Sequence, residues 1–235
     1  MDARAHTDPD IVSPKRPAAL LFDMDGTLTD SEQIWFRAEE RVFGRYGIEW
    51  KDGDQLDLIG WALPRSMEYV VGKYSLDVDP LGLGDELVEE VIRIGTIDGM
   101  PWRPGAYALL ENSVTWGIPS ALVTSSYAGF AALTLAQAPQ GSLSVQVTGD
   151  MVTRGKPDPE PFERAADLLG VSITDCVAFE DSAYGLTSAQ RSGAHVIAVP
   201  FQVELPPLPG VTTIPSLEHV TLDLLATLVS PSEDA

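Results

Sequence analysis

Cysteine is nearly missing from this 235-residue chain, with Cys176 the only one. A lone cysteine excludes an internal disulfide framework and suits a reducing, cytoplasmic setting. Set in the apolar run CVAFE, it reads as a small core residue. Histidine is scarce too, and His6, His195 and His219 fall at no metal-ligand spacing. Basic residues number 15 against 35 acidic ones, a formal net charge of −20, and no basic stretch interrupts the acidity. Such a polyanion repels nucleic acid and anionic membrane surfaces, so neither is an expected partner. Long apolar runs are absent as well, and nothing approaches the ~20 residues of a membrane span. The opening MDARAHTDPDIVSPKR lacks the apolar region of a secretory signal, and residues 1–16 read as a mobile tail.

What is present is enough for a sizeable core: 44% of the residues are hydrophobic. Apolar runs of strand length occur at AALLF (18–22), SALVT (120–124), SVQVT (144–148), CVAFE (176–180) and HVIAV (195–199). Helix-like segments lie at 104–116, 126–137, 159–169, 182–192 and 216–228. That alternation predicts βαβ units, hence a doubly wound, mainly parallel Rossmann-like α/β sheet. Ligands in such sheets bind beyond the carboxyl ends of the strands. The interval 31–103 breaks the rhythm. SEQIWFRAEERVFGRYG, PRSMEYVVGKY and GDELVEEVIRIGTI read as helices and no strand is evident. The expected organisation is a catalytic core from 17–30 and 104–235, with a helical cap, 31–103, inserted after the first strand. VELPPLPG (203–210) reads as a proline-rich loop.

Polar residues collect where the predicted strands end. LLFDMDGTLTD places Asp23 and Asp25 after the first strand, on one side of an extended chain. The second strand ends in Thr124, followed by Ser125 and Ser126; RGKPDP brings Lys156; CVAFE ends in Glu180, with Asp181 next. Each has a plain structural reading on its own. Asp-Gly is turn chemistry, Lys156 could be a loop residue, and Glu180-Asp181 before Ser182 could cap a helix. Taken in order, at successive strand ends, they point to chemistry. Converging carboxylates repel unless a cation sits among them, and an all-oxygen set suits Mg²⁺. Lys156 adds a compact positive charge for a carboxylate or phosphate oxygen. A cation and one lysine would make a positive spot in an acidic protein, which fits a small phosphorylated metabolite.

LLFDMDGT, LVTSS, GKPDPEPF and FEDSAYGL together resemble the four ordered motifs of the haloacid dehalogenase-like hydrolase superfamily. The resemblance covers roughly residues 17 to 200 and is closest to the branch of sugar-phosphate phosphatases and beta-phosphoglucomutases. It implies Asp23 as nucleophile and Asp25 as general acid and base. It implies Thr124, Ser125 and Lys156 at the phosphate. It implies Mg²⁺ held by Asp23, the Asp25 main-chain carbonyl and Asp181, with Glu180 adjacent or acting through water. Mutases of this branch carry a His in the cap linker and a Lys before the cap glycine; here those positions are Trp35 and Ile59. Both departures favour hydrolysis of a sugar or polyol phosphate over phosphosugar isomerisation, and the second acid argues against a non-catalytic phosphosugar-binding protein. Trp35, Trp61 and Arg65 are the cap candidates for contacting the organic part of the substrate. A monomer is expected.

Overall fold

The computed structural model describes residues 15–58, 63–202, 205 and 207–230. The five apolar runs all form strands: β1 (Ala19–Phe22), β2 (Ser120–Val123), β3 (Val145–Val147), β4 (Cys176–Glu180) and β5 (His195–Ala198). A sixth, β6 (Val211–Thr213), was not expected from the sequence. Its three residues are half-buried or exposed at the sheet edge and follow a proline-rich stretch, so no hydrophobic run announces it. Every pairing is parallel, in the order β3-β2-β1-β4-β5-β6. The first strand therefore sits near the middle of the sheet, where both faces are covered and near-continuous apolar sequence is required.

Helices α1 (Glu32–Arg45), α2 (Asp52–Leu56), α3 (Leu63–Tyr74) and α4 (Pro80–Asp98) lie between β1 and β2. No strand occurs there among the described residues. The short α2 is an addition to the expected set. α4 starts at Pro80, before the expected GDELVEEVIRIGTI at 84–97, because Asp79 Oδ2 caps it by accepting from the Gly82 amide at 3.1 Å and Pro80 takes the first helical position. α5 (Ala106–Trp116) follows α4 and leads into β2, and the helices between and after the later strands are α6 (Ala128–Gln137), α7 (Glu160–Leu169), α8 (Ala183–Ser192) and α9 (Leu222–Val229). The expected helix over 216–228 is split into a 3₁₀ turn, Leu217–His219, and α9, because the Thr221 hydroxyl caps a new start by accepting from the Leu224 amide at 3.1 Å.

Alternation along β1 divides the core. Ala19 and Leu21 pack with Phe162 and Ala165 of α7 on one face of the sheet. Leu20 and Phe22 pack on the other, where Phe22 stacks on Phe179 with ring centroids 4.7 Å apart. That second cluster continues through Ile34 and Phe43 of α1, Leu87 and Ile94 of α4, and Leu225 of α9. Each such fully buried side chain stabilises the fold by roughly 1.5–3 kcal/mol. The chain leaving β1 and the chain returning from α4 run side by side: the Asp30 amide donates to Pro101 O at 2.8 Å and the Arg103 amide to Leu28 O at 2.9 Å.

Candidate active site

Parallel pairing carries one residue past each central strand and lines up their ends. The Asp23 amide donates to Phe179 O at 3.1 Å, the Thr124 amide to Val147 O at 2.9 Å, and the Val199 amide to Glu180 O at 2.8 Å. Asp23, Thr124 and Glu180 thus emerge together at the carboxyl ends of the central strands, all buried. Lys156 reaches them from the loop before α7. Its ammonium donates to Asp23 Oδ1 at 2.6 Å, to Glu180 Oε1 at 2.6 Å and to Val123 O at 2.8 Å.

One cation does not balance this group. Burial alone would lower the Lys156 pKa, but Asp23 and Glu180 carry it above its ordinary value. Glu180 is nevertheless pushed up, by burial first and then by the Asp23 charge, despite its bond to Lys156. Asp181 moves the same way, through burial and the charges of Asp23 and Glu180. Lys156 favours the charged form of Glu180, but burial and the Asp23 charge outweigh it. Asp23, Glu180 and Asp181 each offer a carboxylate oxygen within 4.8 Å of the others. A hard divalent cation fits this uncompensated all-oxygen set.

Two glycines make the crowding possible. Gly26 turns the chain at φ +86°, and a Cβ there would lie 2.1 Å from Asp181 Oδ2. A Cβ on Gly185 would lie 1.9 Å from Glu180 Oε1. Glu180 is fully committed: beyond Lys156, its Oε2 accepts from the Asp181 and Ser182 amides and the Ser182 hydroxyl, at 3.2, 3.3 and 3.1 Å. Asp181 Oδ1 accepts from the Thr27 hydroxyl at 3.1 Å.

Asp25 stands apart from that trio and is held by hydroxyls. Ser31 Oγ donates to its Oδ1 at 2.5 Å and Ser126 Oγ to its Oδ2 at 2.7 Å, with Thr124 Oγ1 at 3.4 Å from the same oxygen. Burial and the Asp23 charge raise its pKa against those hydrogen bonds and Lys156. A carboxyl that holds its proton more firmly than usual, beside an ionised neighbour, is suited to give that proton to a leaving group.

Of the residues singled out in the sequence, Asp23, Asp25, Thr124, Lys156, Glu180 and Asp181 come together. The Thr124 hydroxyl faces Asp25, and Ser125 is exposed in the loop after β2. Trp35 is half-buried on α1 and meets Phe130 of α6 edge-on at 5.7 Å. Arg65 is exposed on α3, and Trp61 lies outside the described residues. Sequence reasoning missed Ser31 and Thr27 and gave Ser126 no role, since a serine or threonine in a turn is ordinary and only the fold brings these hydroxyls to the acids. It also missed Arg103, whose guanidinium donates to Gly26 O, Val199 O and Pro200 O and stacks over Phe201 at 4.2 Å. Arg103 ties the turn after Asp25 to the end of β5.

Comparison with known proteins bears on the family. Residues 20–199 match the family described as haloacid dehalogenase-like hydrolase. Hexitol phosphatase A of Escherichia coli (strain K12) is 33% identical over 208 residues, covering 88% of this chain and 94% of that protein. Fructose-1-phosphate phosphatase from the same organism is 31% identical, covering 79% and 97%. A solved HAD hydrolase of family IA, variant 3, from Entamoeba histolytica superimposes with a TM-score of 0.76 over 90% of this chain and 98% of that one, at 24% identity, which speaks to the fold alone.

Proposed function

The chain belongs to the haloacid dehalogenase-like hydrolase family, and from that premise we propose that Asp23 and Asp25 are the nucleophile and the general acid of a phosphatase acting on a sugar or polyol phosphate. The observation that carries the assignment is the division of labour between two acids one residue apart. Asp23 is anchored through Oδ1 on Lys156, which leaves its other oxygen to attack phosphorus in line with the leaving group. Asp25, clasped by Ser31 and Ser126, gives its proton to the departing alcohol oxygen as the P–O bond breaks. An aspartyl-phosphate forms on Asp23. Water then attacks its phosphorus, Asp25 takes the water's proton, and inorganic phosphate leaves with Asp23 restored.

Lys156 offsets charge on Asp23 and the phosphoryl oxygens, and Thr124 and Ser125 border the same space. Mg²⁺ would be held by Asp23, Asp181 and the Asp25 main-chain carbonyl, with Glu180 behind them, and it would supply the positive charge that phosphoryl transfer needs. Glu180 itself acts by fixing Lys156 and the start of α8. Residues 31–103 serve as a cap that closes over the substrate and keeps bulk water out while the phosphoryl group is transferred to Asp23. Trp35, Trp61 and Arg65 belong to that cap and are candidates for contact with the organic group.

The test is phosphate release from a panel of sugar, polyol and small-acid phosphates, with and without Mg²⁺, for the wild type and Asp23→Asn. Magnesium-dependent release that disappears in the folded variant is the expected result. Turnover that survives Asp23→Asn would overturn the nucleophile assignment.

A further inference from the structure

Glu32 opens α1 at the point where the chain leaves the core, next to Ser31 and its bond to Asp25. Its side chain is half-buried and lies in the field of Asp25 and Asp30. Gln55 of α2 fixes it in place, with Nε2 3.3 Å from Glu32 Oε2 and 3.4 Å from the Glu32 carbonyl oxygen. Among the described residues no lysine or arginine pairs with it. Asp30 keeps one carboxylate oxygen, Oδ1, buried and without a hydrogen-bond partner. Trp35 and Glu39 follow Glu32 at the i+3 and i+7 positions of one helix face.

A carboxylate steadied by a neutral amide, on one helix face with Trp35 and in the field of the acid that meets the leaving oxygen, is built to receive donors. Neighbouring hydroxyls of a polyol can each give a hydrogen bond to such a carboxylate, while their C–H faces rest on the ring. A leaving group with a second phosphate or a carboxylate would bring like charge against Glu32, Asp30 and Asp25, and like-charge juxtaposition suppresses binding of the wrong partner.

We propose that Glu32, positioned by Gln55, is the specificity-determining residue of this site, accepting hydroxyls of a neutral polyol leaving group and rejecting leaving groups that carry a second negative charge. The inference rests on the phosphatase reading above.

The experiment compares glycerol 3-phosphate with n-propyl phosphate, two primary alkyl esters that differ in their free hydroxyls, and adds 2-phosphoglycolate as the anionic case. A functional polar contact discriminates against the analogue that lacks it, so in Glu32→Gln the kcat/KM ratio of glycerol 3-phosphate to propyl phosphate falls about tenfold, the scale of one hydrogen bond to a charged group. The ratio of phosphoglycolate to propyl phosphate rises. Using ratios of alkyl esters keeps any general loss of acid catalysis out of the readout. Both ratios unchanged in folded Glu32→Gln would overturn the inference. Should that variant fail to fold, Gln55→Met, which frees the Glu32 side chain, takes its place in the same comparison, and unchanged ratios there overturn the inference equally. No release from any ester by the wild type with Mg²⁺, p-nitrophenyl phosphate included, would instead remove the phosphatase reading beneath it.

Discussion

Asp25 and Asp23 differ by what surrounds them. Asp23 has an ammonium at 2.6 Å, while at Asp25 burial and the Asp23 charge hold the proton on, against the two hydroxyls that donate to it. Replacing Asp25 by Asn keeps the shape and removes the transferable proton. Its kcat on an alkyl phosphate should fall by about 10²–10⁴-fold, and less on p-nitrophenyl phosphate, whose leaving group needs little protonation. Steady-state kinetics on both esters decide it, and equal losses would argue against the acid role. The sequence made both aspartates legible, since D-x-D-G-T after an apolar run is unusual. Ser31 and Ser126 were not legible as partners of Asp25, because nothing local distinguishes them from helix-start and loop serines.

At the scale of single elements, α1 carries a buried acid with no part in the proposed chemistry. Glu39 accepts from Trp50 Nε1 at 2.9 Å, and Trp50 is wedged against Phe43 at 4.6 Å between ring centroids. Burial, opposed by the Trp50 bond and helped by the Glu32 charge, pushes the Glu39 carboxyl up to about 7 from 4.5. The folded protein thus keeps this proton over a range in which the unfolded chain has released it. Its stabilising effect is complete below 4.5 and is lost as pH rises through 7. The gap between those values corresponds to about 3 kcal/mol. Glu39→Gln should therefore gain stability relative to wild type as pH rises, reaching about that margin above roughly pH 8. Urea denaturation on either side of that window, at about pH 5 and about pH 8.5, measures it, and a margin independent of pH would refute the assignment. Elsewhere, α1 and α4 are joined through Glu90, clasped by Arg93 and by Arg41 at 3.0 Å, which holds its carboxyl near 2. The helices themselves were readable from their apolar spacing; the five-residue α2 was not, as one turn offers no period to detect.

The whole molecule gathers a charge of −20 around the carboxyl ends of the central strands, where Asp23, Glu180 and Asp181 share one lysine. Binding of a divalent cation there would stabilise the fold by mass action, by about 2.7 kcal/mol at a hundred times Kd. For a chain of this size that is a rise in Tm of roughly 5–10 °C. Calorimetry with and without Mg²⁺ should show it for the wild type. Asp181→Asn should show a much smaller rise and a higher Tm than the wild type without metal, because it relieves buried like-charge repulsion. A full Mg²⁺ response in that variant would remove Asp181 from the site.

The sequence by itself determined the parallel α/β architecture, because β1, β2, β4 and β5 are buried enough to need unbroken apolar runs, and it marked the acids at their ends. Only the tertiary structure decided the alliances. Lys156 joins Asp23 across 133 positions and Ser126 joins Asp25 across 101. Gln55 holds Glu32 from another helix, and β6 completes an edge with three unremarkable residues. Periodicity reports which face of an element is buried. Which side chains meet there depends on how the elements pack, and the charge balance of this site is set by that packing.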